Sequence, residues 1–402
     1  MIKRPLYLEQ IIPFIDRPMV KILAGIRRAG KSSILSQVED LLIKNGVKKD
    51  QIISINFESL DYAKIRTRDQ MIDHLQNLLQ KGKKYYLLLD EIQLVDGWDE
   101  VVNGLLADGN TDIYITGSNS KLLSSELSTY LTGRYIEILV YPLTFSEALE
   151  FKKARNLEIK DKNAEFAEYM AKGGFPILHA FDYSLEDGDK AVEDIYTSII
   201  YRDLVERKGI RNTELLGRVI SFIFDNIGST FSAKSVADYF KNEFRKVDPE
   251  TVYNYLALLK EVFVIYEVKR YDVRGKALLK TQEKYYVGDV GLLYALNGRK
   301  DSYKNGILEN IVYLELISKG YTVHIGKNEN KEIDFVAEKK GQKIYLQVAV
   351  EASTKDAFQR EFSALEGIAD NYPKYILTLE DGYGDEINGI KKRNLPEFLL
   401  EL

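Results

Sequence analysis

Residues 20–42 read VKILAGIRRAGKSSILSQVEDLL, and this stretch decides the fold of the first part of the chain. It begins with a short apolar run that predicts a buried β-strand, and it ends in a pattern typical of an amphipathic helix. Between them, GIRRAGKSS matches the spacing GxxxxGK[ST] with Gly25, Gly30, Lys31 and Ser32. A strand, a glycine-containing loop and a helix in this order predict one unit of a parallel α/β sheet.

The spacing of this loop predicts a phosphate-binding site. Its glycines let successive backbone N–H groups surround a phosphate, and the N-terminus of the following helix adds its positive end. Lys31 is expected to reach the β- and γ-phosphates of ATP, and the Ser32 hydroxyl to bind Mg²⁺. The alternative is a glycine-rich turn without a ligand. The residues predicted to bind nucleotide are Gly25, Arg28, Ala29, Gly30, Lys31, Ser32 and Ser33.

The segment YYLLLDEIQ predicts the second half of the same site. Four apolar residues indicate a buried strand, and Asp90 and Glu91 follow at its carboxyl end, where an α/β sheet binds its ligand. Asp90 is expected to hold the Mg²⁺ through water, and Glu91 to orient and activate the attacking water. A solvated acidic turn is the alternative.

Two further segments contain residues that are candidates for a role in ATP hydrolysis. The strand DIYITGSNS ends in polar residues, of which Asn119 and then Ser118 are expected at the γ-phosphate or the water. The alternative is that Ser118 or Ser120 caps the next helix. In LTGRYIE, Arg134 is a candidate charge stabiliser, either in its own site or in that of a neighbouring subunit, with an unpaired surface arginine as the alternative.

Composition excludes several classes of protein. The 402 residues predict two to four domains, and 45% hydrophobic and 29% charged residues describe a soluble globular protein. A net charge of −5 means that nucleic-acid binding would need a local basic patch. The chain has no cysteine, which excludes disulfides and favours the cytoplasm, and it has no apolar run of membrane-spanning length.

The patterns along the chain divide it into four predicted domains. Residues 1–150 form an α/β core with five strands, residues 151–214 a helical lid or connector, residues 215–295 a winged helix, and residues 296–402 a small α/β domain. The five predicted strands are VKILAG, IISINFES, YYLLLDE, DIYITGS and YIEILVY.

The predicted winged helix has three helices followed by two strand-like runs. Asp248 and Pro249 would start the third helix with a cap and a first-turn proline. That helix is acidic, so sequence-specific DNA reading by it is not expected, whereas the wing is basic and could contact a nucleic-acid backbone. Packing or protein contact is the alternative. The wing residues are Tyr266, Lys269, Arg270, Tyr271, Arg274, Lys276 and Lys280.

The C-terminal hairpin EIDFVAEKKGQKIYLQVAV is similar to a nuclease site that lacks one group. A PD-(D/E)xK site needs an acid from a helix, an aspartate on one strand and an acid-x-lysine pair on the next. Glu309 and Asp334 fit the first two places, and Gln347 and Ala349 stand in the acid and lysine places. A degenerate site is therefore expected, and an active nuclease is less favoured. Two residues could replace the lysine only if the fold turned them inward: Lys355 and Arg360.

Taken in order, these segments resemble an AAA-type ATPase family of bacteria and archaea. The resemblance rests on GIRRAGKSS, LLLDEIQLVDGW, ITGSNS, LTGR, PLTFSEAL, KGGFP, YRDLVER, YYVGDVGL, LENIVYLEL and LQVAVE, and covers nearly the whole chain. It implies an AAA-type P-loop core with ATP, Mg²⁺ and hydrolysis, a winged helix, and a terminal domain of restriction-endonuclease-like fold. By this resemblance, the matching site residues are Lys31, Ser32, Asp90, Glu91 and Arg134.

The function expected from the sequence is a nucleotide-driven conformational switch that acts on a nucleic-acid or protein client. The alternatives are an ATP-regulated nuclease, and a DNA- or protein-binding adaptor in which ATP only stabilises a shape. Assembly into oligomers is compatible with the sequence, and no membrane partner is expected.

Overall fold

A computed structural model of the chain describes residues 2–119, 133–206, 208–242, 247–279, 283–351, 355–380 and 386–402. Within these ranges the side chains of residues 242 and 355–358 are not described. The chain forms two compact units, which are described in turn. The first unit comprises Met1–Val140 with Glu261–Phe263, and the second Tyr141–Lys260 with Val264–Leu402.

The first unit contains a five-stranded parallel sheet with the order β2-β3-β4-β1-β5. All five strands predicted from the sequence are present. Because β4 lies between β1 and β3, the phosphate loop and the acidic pair are separated by one strand. The strands are β1 (Val20–Ala24), β2 (Ile52–Asn56), β3 (Tyr85–Asp90), β4 (Thr111–Gly117) and β5 (Tyr135–Leu139).

Helices flank this sheet because its three central strands, β3, β4 and β1, are buried on both faces. One face packs Ile22, Leu87 and Ile113 against Leu75 and Val102 of two of these helices. Burial of each such side chain contributes about 1.5–3 kcal/mol. The helices are α1 (Pro5–Ile11), α2 (Lys31–Lys44), α3 (Arg68–Leu78) and α4 (Trp98–Asp108).

The second unit begins with helices, as predicted after residue 150. Thr144 accepts a hydrogen bond from the Glu147 N–H, and the Glu147 side chain accepts one from the Thr144 N–H, so a capping box starts the first of them. Between residues 199 and 206 the chain forms a π-helix. The helices are α5 (Phe145–Ala154), α6 (Lys162–Lys172), α7 (Pro176–Ala180) and α8 (Leu185–Ser198).

Three helices and a three-stranded sheet follow, in the region predicted to be a winged helix. The sheet has the order β6-β10-β7, and the Glu250 N–H donates to Asp248 Oδ1 (2.9 Å) at the start of the third helix. The elements are α9 (Thr213–Asp225), β6 (Thr230–Phe231), α10 (Ala233–Asn242), α11 (Pro249–Glu261), β7 (Ile265–Val268), β8 (Arg270–Asp272), β9 (Ala277–Leu278) and β10 (Glu283–Val287).

The wing differs from its prediction. The run VIYEVKRYD contains two strands rather than one, and β8, together with its partner β9, joins the C-terminal sheet. Tyr266 lies near the rings of Tyr141 and Tyr313, and Tyr271 stacks on His324 at 6.0 Å between ring centroids. The tyrosines expected on a nucleic-acid surface therefore make contacts within the protein.

The charges of the wing are also partly used within the protein. Arg274 forms an ion pair with Glu329 at 2.7 Å and donates to Asn328 Oδ1 at 3.3 Å. Lys280 lies outside the described residues. These contacts do not favour the expectation that DNA binds through the wing.

The chain ends in an eight-stranded sheet with the order β15-β16-β14-β13-β12-β11-β8-β9. The predicted hairpin is formed by β12 and β13, whose two-residue turn has positive φ at Lys340 and Gly341, as a type I′ turn requires. The last strands and helix were not predicted. The elements are α12 (Val290–Asn297), α13 (Lys304–Ser318), β11 (Thr322–Asn328), β12 (Lys331–Lys339), β13 (Gln342–Val348), α14 (Lys355–Leu365), β14 (Lys374–Thr378), β15 (Glu386–Ile387), β16 (Ile390–Asn394) and α15 (Leu395–Glu401).

Among the described residues, we find no helix that combines the length and the apolar character needed to cross a membrane.

Candidate functional site

The phosphate loop leaves β1 and enters α2 through backbone conformations that favour glycine. Gly25 has a φ of +151° and Gly30, directly before α2, a φ of +98°. The loop lies at the carboxyl edge of the parallel sheet, where ligands of such sheets bind.

Lys31 is held against this loop. Its Nζ donates to the carbonyl oxygens of Gly25 (2.9 Å) and Ile26 (3.0 Å), and the residue is only 4% exposed. An ammonium group anchored at the mouth of the loop is placed to bind the β- and γ-phosphates of a nucleotide.

The acidic residue at the end of β3 is bonded to the start of α2. The Ser32 hydroxyl donates to Asp90 Oδ1 at 3.1 Å, and Thr116 on β4 donates to the same oxygen at 2.5 Å. Burial raises the pKa of Asp90, and the bonds from Thr116 and Ser32 oppose this effect. One hydroxyl and one carboxylate within hydrogen-bond distance form an oxygen donor set that fits Mg²⁺ bound with a nucleotide.

Glu91 lies next to this pair in a left-handed backbone conformation, with a φ of +54°. Its N–H donates to Thr116 Oγ1 at 2.9 Å, and its carboxylate accepts a hydrogen bond from the Gln93 amide. Two contacts thus fix its backbone and its side chain, and the backbone bond links Glu91 to the hydroxyl that bonds Asp90.

The polar end of β4 lies beside the phosphate loop, because Gly117 pairs with Ala24 at the end of β1. Asn119 and Ser118 are both buried there. Within the described residues, the Ser118 Oγ has no hydrogen-bond partner. Ser120, considered as a helix cap, lies outside the described residues.

Arg134 is not brought to the site of its own chain. It precedes β5, and its carbonyl accepts the N–H of Val20 at the amino end of β1, roughly 16 Å along the strands from the phosphate loop. Its guanidinium donates to Asn103 Oδ1 on α4 at 2.7 Å. The expected role in its own site is therefore not supported, since parallel strands put their amino and carboxyl ends at opposite edges.

The two arginines of the phosphate loop differ from each other. Arg28 is exposed and has a φ of +66°. Arg27 is buried and forms an ion pair with Glu58 at 2.6 Å. Ala29 is buried within the loop, whereas Ser33 is exposed on α2.

Sequence reasoning missed two residues that contact this site. Thr116 bridges Asp90 and Glu91, and Arg4 donates to the Ala29 carbonyl at 2.8 Å. The threonine is the last polar side chain on a buried strand, which is a weak signal. Arg4 is about 20 residues from the motif, and only the tertiary structure brings it there.

The nuclease-like residues also come together, but in the second unit. Glu309, Asp334 and Gln347 line one cleft of about 490 Å³. Ala349 is buried and offers no polar group. Arg360 reaches the cleft only to pair with Glu361 at 2.7 Å, and the Lys355 side chain lies outside the described residues.

Comparison of the chain with known proteins identifies the family to which it belongs. Residues 17–149 match the model of an AAA domain, and residues 163–303 match a domain of unknown function (DUF8612). An uncharacterized protein of Haemophilus influenzae is 38% identical over 404 residues, which cover 100% of this chain and 99% of that protein. An uncharacterized protein of Methanocaldococcus jannaschii is 32% identical over 399 residues, covering 94% of this chain and 86% of that protein.

Among solved structures, a Walker-type ATPase of Pyrococcus abyssi aligns with 72% of this chain and 93% of its own, at 18% identity and a TM-score of 0.49. The parallel sheet, the phosphate loop and the acidic pair at its edge define a P-loop protein of the AAA type. The chain belongs to a family of AAA-domain proteins that includes the Haemophilus influenzae protein, which is 38% identical over nearly the full length of both chains.

Proposed function

We propose that the chain is a Mg²⁺-dependent ATPase that acts as a nucleotide-driven conformational switch. The observation that carries the proposal is the continuous set of contacts from Ser32 through Asp90 and Thr116 to Glu91. These contacts join the residues for metal, nucleotide and water into one rigid edge of the sheet. Rigid placement matters because phosphoryl transfer depends on positioning and on charge stabilisation.

Each residue has a proposed role in this reaction. Lys31 binds the β- and γ-phosphates by exchanging its loop carbonyls for phosphate oxygens, and Ser32 and Asp90 hold the metal site. Glu91 positions the attacking water and takes its proton, and Asn119 donates to the γ-phosphate or the water. Bound Mg²⁺ would neutralise the phosphate charge that develops during transfer.

We also propose fold assignments for the second unit. The order of α9, β6, α10, α11, β7 and β10 supports a winged helix, although its wing is part of the C-terminal sheet. The helix α13, the hairpin β12–β13, the helix α14 and the strand β14 support a restriction-endonuclease-like fold. The client of the switch is a nucleic acid or a protein.

Two substitutions test the ATPase proposal directly. Lys31→Ala should abolish ATP binding, measured by calorimetry, because it removes the ammonium from the loop. Glu91→Gln should keep ATP binding and lose hydrolysis by about 10²-fold or more, measured by phosphate release. The surface variants Lys44→Ala and Glu9→Gln are matched controls, since both side chains are exposed on helices of the same unit. Normal turnover by Glu91→Gln would contradict the assignment of Glu91.

A second measurement separates the switch from a passive adaptor. Phosphate release is measured with and without DNA and with candidate protein clients. A switch turns over ATP, and its rate changes with its client. A chain that binds ATP tightly without turnover under any of these conditions would be an adaptor instead.

A further inference from the structure

The cleft in the second unit contains a buried lysine that no sequence motif indicates. Lys284 lies on β10, and its side chain is 3% exposed. Its Nζ lies 2.8 Å from Glu332 Oε1, 3.1 Å from Glu309 Oε2 and 3.7 Å from Asp334 Oδ1. One ammonium group is thus surrounded by three carboxylates from α13 and β12.

Other polar atoms of this centre also have hydrogen-bond partners. The Tyr286 hydroxyl donates to Glu309 Oε2 at 2.8 Å, and the Val348 N–H donates to Asp334 Oδ2 at 2.8 Å. The Gln347 amide oxygen accepts the Asp334 N–H at 3.3 Å, and its nitrogen donates to Glu361 at 2.9 Å. The amide oxygen that could have replaced a missing carboxylate is therefore already bonded to the backbone of β12.

The charge on Lys284 is stable in this position. Burial acts to lower its pKa, but the charges of Glu309, Asp334 and Glu332 outweigh burial and raise the pKa above its usual range. Burial raises the pKa of Asp334 and of Glu309, an effect that Lys284 opposes. The ammonium is thus retained, while the carboxyls are less ready to ionise than exposed ones.

A divalent cation does not fit this arrangement. Mg²⁺ binds oxygen ligands at about 2.0–2.1 Å, so it would have to lie between the same three carboxylates as the ammonium group. The ammonium group and a metal ion would therefore compete for one position.

We infer that Lys284 takes the place of a metal ion in this centre, and that Glu309, Glu332 and Asp334 bind β10 to the C-terminal sheet instead of binding Mg²⁺. The ion pairs join an element of the three-stranded sheet to α13 and β12, which belong to the C-terminal part of the same unit. The lysine expected at position 349 is absent, and the ammonium group of Lys284 occupies the space between the carboxylates instead. This inference is independent of the proposed ATPase activity.

The test is a Mn²⁺ titration of the nucleotide-free, full-length protein, followed by electron paramagnetic resonance. Wild type and Asp334→Asn should bind Mn²⁺ identically. Lys284→Met removes the ammonium and keeps the apolar stem, so it should gain one Mn²⁺ site, which Lys284→Met/Asp334→Asn should lack. Lys331→Met is the matched control, because Lys331 is exposed at the same cleft, and it should gain no site.

Two outcomes would overturn the inference. One is a Mn²⁺ site in the wild type that Asp334→Asn removes. The other is a folded Lys284→Met protein, verified by circular dichroism, that binds no more Mn²⁺ than the wild type. If Lys284→Met does not fold, the comparison of wild type with Asp334→Asn decides alone, because a metal centre at these carboxylates must respond to the loss of Asp334.

Discussion

At the scale of single residues, Gly25 shows how strictly the phosphate loop constrains its sequence. Its φ of +151° is unfavourable for residues with a side chain, and a Cβ there would lie 2.0 Å from the carbonyl oxygen of Val140. That oxygen belongs to the backbone and cannot move aside without disturbing the end of β5. A glycine is therefore required for packing as well as for the turn.

Gly25→Ala should lower the free energy of unfolding by about 2–4 kcal/mol, because it combines backbone strain with a steric clash. Urea denaturation measures the change. Gly104→Ala is the matched control, since Gly104 lies in α4 with open space around its Cα, and it should stabilise the protein by about 0.5–1 kcal/mol. Equal stabilities of the two variants would contradict this account.

Arg4, which precedes α1, forms a hydrogen bond with the same loop. Its guanidinium donates to the Ala29 carbonyl at 2.8 Å and so holds the peptide between Ala29 and Gly30 in one orientation. In a trans peptide the C=O of Ala29 and the N–H of Gly30 point in opposite directions. The contact therefore fixes the orientation of the Gly30 N–H, which the proposed function assigns to phosphate binding.

Arg4→Ala should weaken ATP binding about ten-fold or more, since hydrogen bonds to charged groups contribute about 1.5–3 kcal/mol. The dissociation constant of a fluorescent ATP analogue measures this. Arg17→Ala removes an exposed arginine from the same unit and should leave the affinity unchanged. If Arg4→Ala binds ATP as tightly as Arg17→Ala does, the contact does not position the loop.

At the scale of elements, two of the segments that carry the family resemblance, GDVGL and KGGFP, are connected by hydrogen bonds to one side chain. Asp289 begins α12 in GDVGL, and it accepts the N–H of Gly291 (2.7 Å) and of Gly174 (2.6 Å) in KGGFP. A Cβ at Gly173 would lie 2.3 Å from Asp289 Oδ1. Burial raises the pKa of Asp289 to about 7. The contacts give KGGFP a structural role, since they connect it to the start of α12.

A second buried carboxyl connects α13 to the start of α5. Glu315 accepts the Phe145 N–H at 3.3 Å, and burial raises its pKa from 4.5 to about 7. Between these values the folded chain holds a proton that the unfolded chain has released. The stability that this proton contributes is thus complete below about pH 4.5 and is lost as the pH rises through about 7.

Glu315→Gln should remove this pH dependence. The shift corresponds to about 3 kcal/mol, so the variant should gain roughly that much stability relative to wild type between pH 5 and pH 8. Urea unfolding at a series of pH values measures the difference. Glu366→Gln, at an exposed position of the same unit, should follow the wild-type curve. A constant difference between Glu315→Gln and wild type would show that Glu315 does not titrate in this range.

At the scale of the whole molecule, the placement of Arg134 bears on assembly. The residue lies at the amino edge of the sheet, opposite to the phosphate loop of its own chain. An arginine there can stabilise transferred charge only in the site of a neighbouring subunit. In an oligomer, which is compatible with the sequence, Arg134 would stabilise charge in the site of the neighbouring subunit.

Arg134→Ala should then bind ATP normally and lose turnover by about 10³-fold. Mixing it with Lys31→Ala should restore part of the activity, because a mixed assembly contains sites with Lys31 from one chain and Arg134 from the next. Phosphate release and mass in solution are measured together. Full turnover by Arg134→Ala, or turnover by a strictly monomeric protein, would rule out the role across subunits.

Much of the first unit could be predicted, because its signals are local. A strand of apolar residues, a loop with fixed glycine spacing and an acidic pair at a strand end lie within short windows, so Lys31, Ser32 and Asp90 were found together. Contacts between distant residues have no such signal. Lys21 on β1 is fully buried and hydrogen-bonded to Asp112 on β4, although a lysine in a strand usually indicates a solvent-exposed position.

The sequence by itself determined the parallel sheet, its phosphate loop and the residues proposed to bind a nucleotide, because glycine, lysine and carboxylate residues occur there at fixed spacings. Only the tertiary structure decided what the other charged groups do. It placed Arg134 at the far edge of the sheet, joined the wing to the C-terminal sheet, and brought Lys284 into the cleft of Glu309 and Asp334. The physical reason is that burial and ion pairing depend on distances in space, which spacing along the chain does not set.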